Sequence, residues 1–135
     1  MRRRYMLDTD ICIYLAKNKH PQVTARFERL KPEQPVMSAI TYGELQYGAN
    51  KSIERSRAVS QLVHLIQYIP VESVTSSAAQ AYGEIRAALE KQGRVIGNND
   101  LWIVAHAMAL DVTLATNNDR EFLRVTGLSV ENWTK

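Results

Sequence analysis

The 135-residue chain contains one cysteine, Cys12. It can close no internal disulfide, so a reducing compartment, the cytoplasm, is the expectation. No apolar run approaches the ~18 residues of a membrane span, and no membrane partner is expected. The basic start, Met1 to Arg4, meets Asp8 and Asp10 before any long apolar stretch, so no secretory signal is expected. Glycine and proline are sparse, at six and four, and they form no linker, repeat or low-complexity tract, so one domain over 1–135 is expected. Gly93 and Gly97 lack the Lys-Ser/Thr sequel of a phosphate-binding loop, and there is no nucleophile elbow. His20, His64 and His106 stand at no zinc-like spacing from one another or from Cys12. His106 and Trp102 read as core residues.

What is present is an ordinary globular composition, 45% hydrophobic and 23% charged, with a net charge of +3. The positive excess is concentrated: Arg2, Arg3, Arg4, Lys17, Lys19, Arg26, Arg29 and Lys31 stand against Asp8, Asp10 and Glu28. Such a stretch suits solvated surface or a polyanionic partner.

Short apolar segments alternate with helical periodicity. Arg4 to Leu7 is a predicted strand ending at Asp8, and Asp10 is the predicted cap of a helix through Ile11, Tyr14 and Leu15. Pro21 opens a second helix through Val23, Phe27 and Leu30. Pro35 to Ser38 is a second strand. Ser38 caps a helix bearing Ile40, Glu44, Leu45 and Tyr47, which ends near Gly48. Ile53 to Tyr68 has helical spacing, Ile69 to Val71 is a third strand, and Thr75 to Gln92 is a long helix stopped by Gly93. Asn98 or Asn99 then caps a helix from Asp100 to Leu110 that is apolar on nearly every face, the mark of a central element. Val112 to Ala115 makes a fourth strand, followed by a turn from Thr116 to Asp119, with an edge strand at Leu128 to Val130. This order predicts an α/β fold with a parallel sheet of four to five strands covered on both faces.

In such folds the working groups gather beyond the carboxyl ends of the strands. Asp8 ends strand one, Glu44 lies on the helix after strand two, Asp100 opens the central helix, and Asp119 and Glu121 follow strand four. Clustered carboxylates cost several kcal/mol each if uncompensated, and a hard divalent cation such as Mg²⁺ or Mn²⁺ is the usual remedy.

Four segments carry a family likeness: Met6-Leu7-Asp8-Thr9-Asp10; Ile40 to Leu45 with Gly48-Ala49; Gly97-Asn98-Asn99-Asp100 through Ala107; and Thr116-Asn117-Asn118-Asp119-Arg120-Glu121-Phe122. In order and spacing, and over essentially the whole chain to Trp133, the sequence resembles PIN-domain endoribonucleases of the VapC toxin type. The resemblance implies a three-layer α/β/α fold and a bacterial toxin that cuts RNA with Mg²⁺ or Mn²⁺. It further implies a cognate VapB-type antitoxin whose tail fills the active-site groove, a homodimer, and initiator tRNA as the substrate of this branch. Residue by residue, it implies catalytic roles for Asp8, Glu44, Asp100 and Asp119, with Asp8, Asp100 and Glu44 on the metal. Many members place an acid where Asn118 stands here, so Asp119 or Glu121 takes the fourth place, and Thr116 matches the family's hydroxyl position.

Two rival readings stay open. One is a catalytically inactive PIN-like scaffold that binds RNA or protein. The other is a haloacid-dehalogenase-like phosphatase using Asp8, for which the chain offers no lysine between Lys91 and Lys135.

Overall fold

A computed structural model describes residues 4–135, and Arg2 and Arg3 of the basic stretch fall outside it. The strands are β1 (Tyr5–Leu7), β2 (Pro35–Ser38), β3 (Val71–Glu72), β4 (Thr113–Thr116) and β5 (Val130–Asn132). They form one sheet in the order β3-β2-β1-β4-β5, and each pairing is parallel. The helices are α1 (Thr9–Lys17), α2 (Pro21–Glu28), α3 (Ala39–Asn50), α4 (Arg55–Tyr68), α5 (Ser76–Lys91), α6 (Asn98–Leu110) and the single turn α7 (Asp119–Phe122).

Strand side chains alternate between the two faces of a sheet, and here both faces are apolar. Met6, Val36 and Leu114 pack with Leu89 of α5 and Ile103, Val104 and Ala107 of α6. Leu7, Met37 and Ala115 pack on the other side with Ile11 and Cys12 of α1 and Val23 of α2, together with Trp133. The sheet is thus the middle of three layers, as expected. Burial pushes the Cys12 thiol far up, which keeps it protonated inside this core.

Three caps differ from expectation or refine it. Asp8, not Asp10, caps α1: its backbone is still extended and its carboxylate accepts from the Ile11 amide at 3.0 Å. Asp10 lies in the first turn, where its charge complements the helix dipole. Gly97, not Asn98 or Asn99, is the cap of α6, which leaves both asparagine side chains free for tertiary contacts. Ser38 does cap α3, accepting from the Ile40 amide at 3.1 Å, and its Oγ also lies 2.8 Å from Nδ1 of His106 on α6. Burial holds that imidazole below its ordinary pKa, so it acts as a neutral tie between β2 and α6.

The edge strand forms two residues later than expected. Val130 pairs with Leu114 and Asn132 with Thr116, a register that places Trp133 against Tyr5 with ring centroids 5.8 Å apart. Among the described residues no helix is long and apolar enough to cross a membrane.

Candidate active site

The chain runs from β1 outward to β2 and β3, then returns to the opposite side of β1 with β4. The crevice beyond the carboxyl ends of β1 and β4 is therefore the switch point of the sheet, the place where open α/β folds bind ligands. Asp8 stands there. Its amide donates to the Ala115 carbonyl at 3.0 Å, which anchors it beside β4, and the residue is 6% exposed. Burial raises its carboxyl from 3.8 to about 7; hydrogen bonds from Thr116 and the Ile11 amide oppose that rise, while the charges of Asp10 and Asp100 add to it.

Asp100, in the first turn of α6, is raised to about 6, first by burial and then by Glu121, Glu44 and Asp10. Five acids from four elements thus repel one another across one crevice. Among the described residues none of Asp8, Asp10, Glu44, Asp100 or Glu121 pairs with a cationic side chain. Nor do three of the described acidic, histidine or cysteine side chains already stand together as an ion's ligands. The donor set nevertheless suits a hard cation, since the acids of the crevice offer carboxylate oxygens and no cationic side chain among the described residues offsets their charge.

Glu44 is fixed by two contacts that sequence reading did not find. The Thr9 hydroxyl donates to its Oε1 at 2.5 Å, and Nδ2 of Asn99 to its Oε2 at 3.4 Å. Thr9 also lies 3.3 Å from Thr41, so α1, α3 and α6 are tied around this one carboxylate. Thr116 is fully buried at the end of β4, where its hydroxyl serves Asp8 and accepts from the Asn118 amide at 3.0 Å. Asn118 in turn donates from Nδ2 to Glu121 at 3.1 Å.

The two acids of α7 diverge. Glu121 accepts from the Gly97 amide at 3.4 Å and its charge bears on Asp100. Asp119, expected among the catalytic acids, turns the other way: Nδ2 of Asn132 donates to it at 3.2 Å and Lys135 lies 3.6 Å from it. These contacts hold its carboxyl below the usual range, so it is settled as an anion on the β5 side. A one-turn helix fixes such a choice through its tertiary neighbours, which local sequence does not display. Asp10 belongs to the crevice as well, its charge acting on both Asp8 and Asp100; its position two residues beyond Asp8 is the signal the sequence offers.

Residues 5–128 match the family model described as PIN domain. Ribonuclease VapC2 of Rickettsia felis is 42% identical over 133 residues, covering 97% of this chain and 98% of that protein. The tRNA(fMet)-specific endonuclease VapC of Shigella flexneri is 40% identical over 131 residues, with 97% and 98% covered. The solved structure of VapBC-1 from nontypeable Haemophilus influenzae superimposes with a TM-score of 0.89 at 42% identity, covering 97% of this chain and 98% of that one. With strand order, crevice and sequence all in agreement, the chain belongs to the PIN-domain family, in its VapC branch.

Proposed function

We propose that the protein is the toxin of a toxin–antitoxin pair, an endoribonuclease of the cytoplasm that hydrolyses RNA phosphodiester bonds with Mg²⁺ or Mn²⁺. The observation that carries this reading is the group of mutually repelling, uncompensated carboxylates at the β1/β4 switch point. Asp8, Asp100 and Glu44 would hold the divalent cation. When bound, such an ion acidifies water and neutralises charge on the phosphoryl oxygens. Asp8 and Asp100, with carboxyls raised to about 7 and about 6, would have to be ionised to hold the cation, so its binding should weaken below neutral pH.

The chain's own residues supply orientation. Glu44, gripped from two sides by Thr9 and Asn99, is fixed to align a water and take its proton. Thr116 hydrogen-bonds the carboxyl of Asp8 and favours its ionised form. Glu121 stands in the fourth position, steadied by Asn118. Attack by water leaves a 5′-phosphate and a 3′-hydroxyl and does not involve the 2′-hydroxyl, so preference for RNA comes from the shape of the bound strand. By its likeness to the Shigella flexneri endonuclease, initiator tRNA is the substrate proposed.

A groove of about 600 Å³ between α1, α3 and α4 opens beside Glu44 and is lined by Ile13, Leu45, Leu62 and Leu65. It is the proposed seat of an antitoxin segment, in keeping with the VapBC complexes among the similar structures. The test is direct. Purified protein freed of any partner should cut tRNA in Mn²⁺ and stop in chelator, and Asp8→Asn or Asp100→Asn should remove cutting while the far-UV spectrum is kept. Cutting that persists in chelator, or full activity in either variant, overturns the proposal. Binding of tRNA without any cutting would favour the inert-scaffold reading.

A further inference from the structure

A second charged feature borders the acid crevice and bears the opposite sign. The loop between α5 and α6 and the short helix α7 enclose an open cleft of about 500 Å³, lined by Gly93, Arg94, Val95, Arg120, Leu123 and Arg124. No acid lines it. Arg4, Arg26, Arg57 and Arg86 each sit against a carboxylate. Among the described residues Arg94, Arg120 and Arg124 do not, and all three are exposed. Three guanidinium groups gathered without a counter-charge repel one another, and an anion relieves that cost. Their planar forks match phosphate oxygens in particular.

The cleft is built into the site rather than hung beside it. Nη1 of Arg124 donates to the Val95 carbonyl at 3.1 Å, pinning the loop to the segment that follows α7. The same loop reaches Glu121 through the Gly97 amide at 3.4 Å. Arg120 and Glu121 are consecutive on α7, so this one turn presents a cation to the cleft and an acid to the crevice. Beyond Arg94 a smaller hollow of about 260 Å³ continues past Arg86 and Asn98.

An acid crevice alone repels a polyanion, and a strand crossing it needs its neighbouring phosphates held nearby. We propose that the cleft of Arg94, Arg120 and Arg124 binds the phosphodiester backbone of the RNA substrate next to the bond that is cut. The inference rests on the nuclease reading above and adds a substrate-binding subsite to it.

The experiment measures binding of fluorescein-labelled bulk tRNA in chelator, so that nothing is cut, over a series of salt concentrations. The variants are Arg94→Gln, Arg120→Gln and the double variant; Arg124 is spared because it also holds the loop. Removing two phosphate contacts should lower the slope of log affinity against log salt by about 0.7–0.9 per contact, or roughly 25- to 60-fold in affinity near 0.1 M salt. With Mn²⁺ restored, KM should rise by a similar factor while kcat changes little, and thermal melts should show the variants folded.

A double variant with unchanged affinity and slope that still cuts tRNA overturns the cleft and leaves the nuclease reading intact. Loss of binding to the cognate antitoxin with RNA affinity unchanged overturns it in favour of a protein-docking surface. Arginine-dependent tRNA binding without metal-dependent cutting upholds the cleft and overturns the nuclease reading. A wild-type protein that binds no tRNA overturns both.

Discussion

Replacing Asp8 by asparagine should make the metal-free protein more stable, and the gain should depend on pH. Asp8 is 6% exposed and its carboxyl is raised by burial from 3.8 to about 7. Below about pH 3 the carboxyl is largely protonated in both folded and unfolded chains, and at pH 4 the difference is still small, so wild type and variant should be close there. As pH climbs from 4, the unfolded chain releases the proton and the folded chain retains it. The folded state then binds more protons than the unfolded one, and its stability falls with rising pH until about 7. At about 1.4 kcal/mol per pH unit, the interval from 3.8 to about 7 amounts to on the order of 4 kcal/mol. Asparagine escapes this loss and keeps the structural duties of the position, since its Oδ1 can accept from the Ile11 amide and from Thr116 as the carboxylate does. Urea melts in chelator at pH 4, 5.5, 7 and 8 would measure the difference. Adding Mn²⁺ at pH 8 should then restore wild type, by about 1.4 kcal/mol for each tenfold excess over Kd, and do little for the variant. A difference that stays flat across this range, or a variant less stable than wild type at pH 8, would refute the argument that burial and neighbouring acids load this residue.

Other consequences are more local. Thr9→Val removes the donor that holds Glu44; cutting should slow by about 10- to 100-fold with the melt nearly unchanged, as misplacement of a catalytic group does. Glu121→Gln should lower activity or Mn²⁺ affinity by about 10- to 100-fold, whereas Asp119→Asn, turned toward Asn132 and Lys135, should leave cutting near wild type. Ser38→Ala takes away both the cap of α3 and the partner of buried His106, and should cost about 1–3 kcal/mol in denaturant melts.

Strands β1, β2 and β4 were legible because each is a short, largely apolar and buried run, and Asp8 was legible because an acid directly after such a run must leave the sheet at its carboxyl end. The central helix was legible from its all-round apolarity. The misplacements share a cause. Asp8 and Asp10 both qualify as caps, and only the extended backbone at Asp8 decides between them. Asn99 near a helix start reads as local capping, although its side chain spans to Glu44. Asp119 and Glu121 differ in direction because β5 arrives with Asn132 on one side and the α6 terminus lies on the other. The edge strand slid by two residues because its register is set by pairing with β4 and by the seat of Trp133, both distant in sequence.

The double duty of Asp8, as helix cap and as buried acid, bears on how such a gene would be silenced. If Asp8 serves as proposed, a one-atom swap of carboxylate oxygen for amide nitrogen here would leave a sturdier chain with an inert crevice and an intact surface for its partner. In a population exposed to unrestrained toxicity, survivors carrying asparagine at this codon would keep making a harmless decoy that still occupies antitoxin.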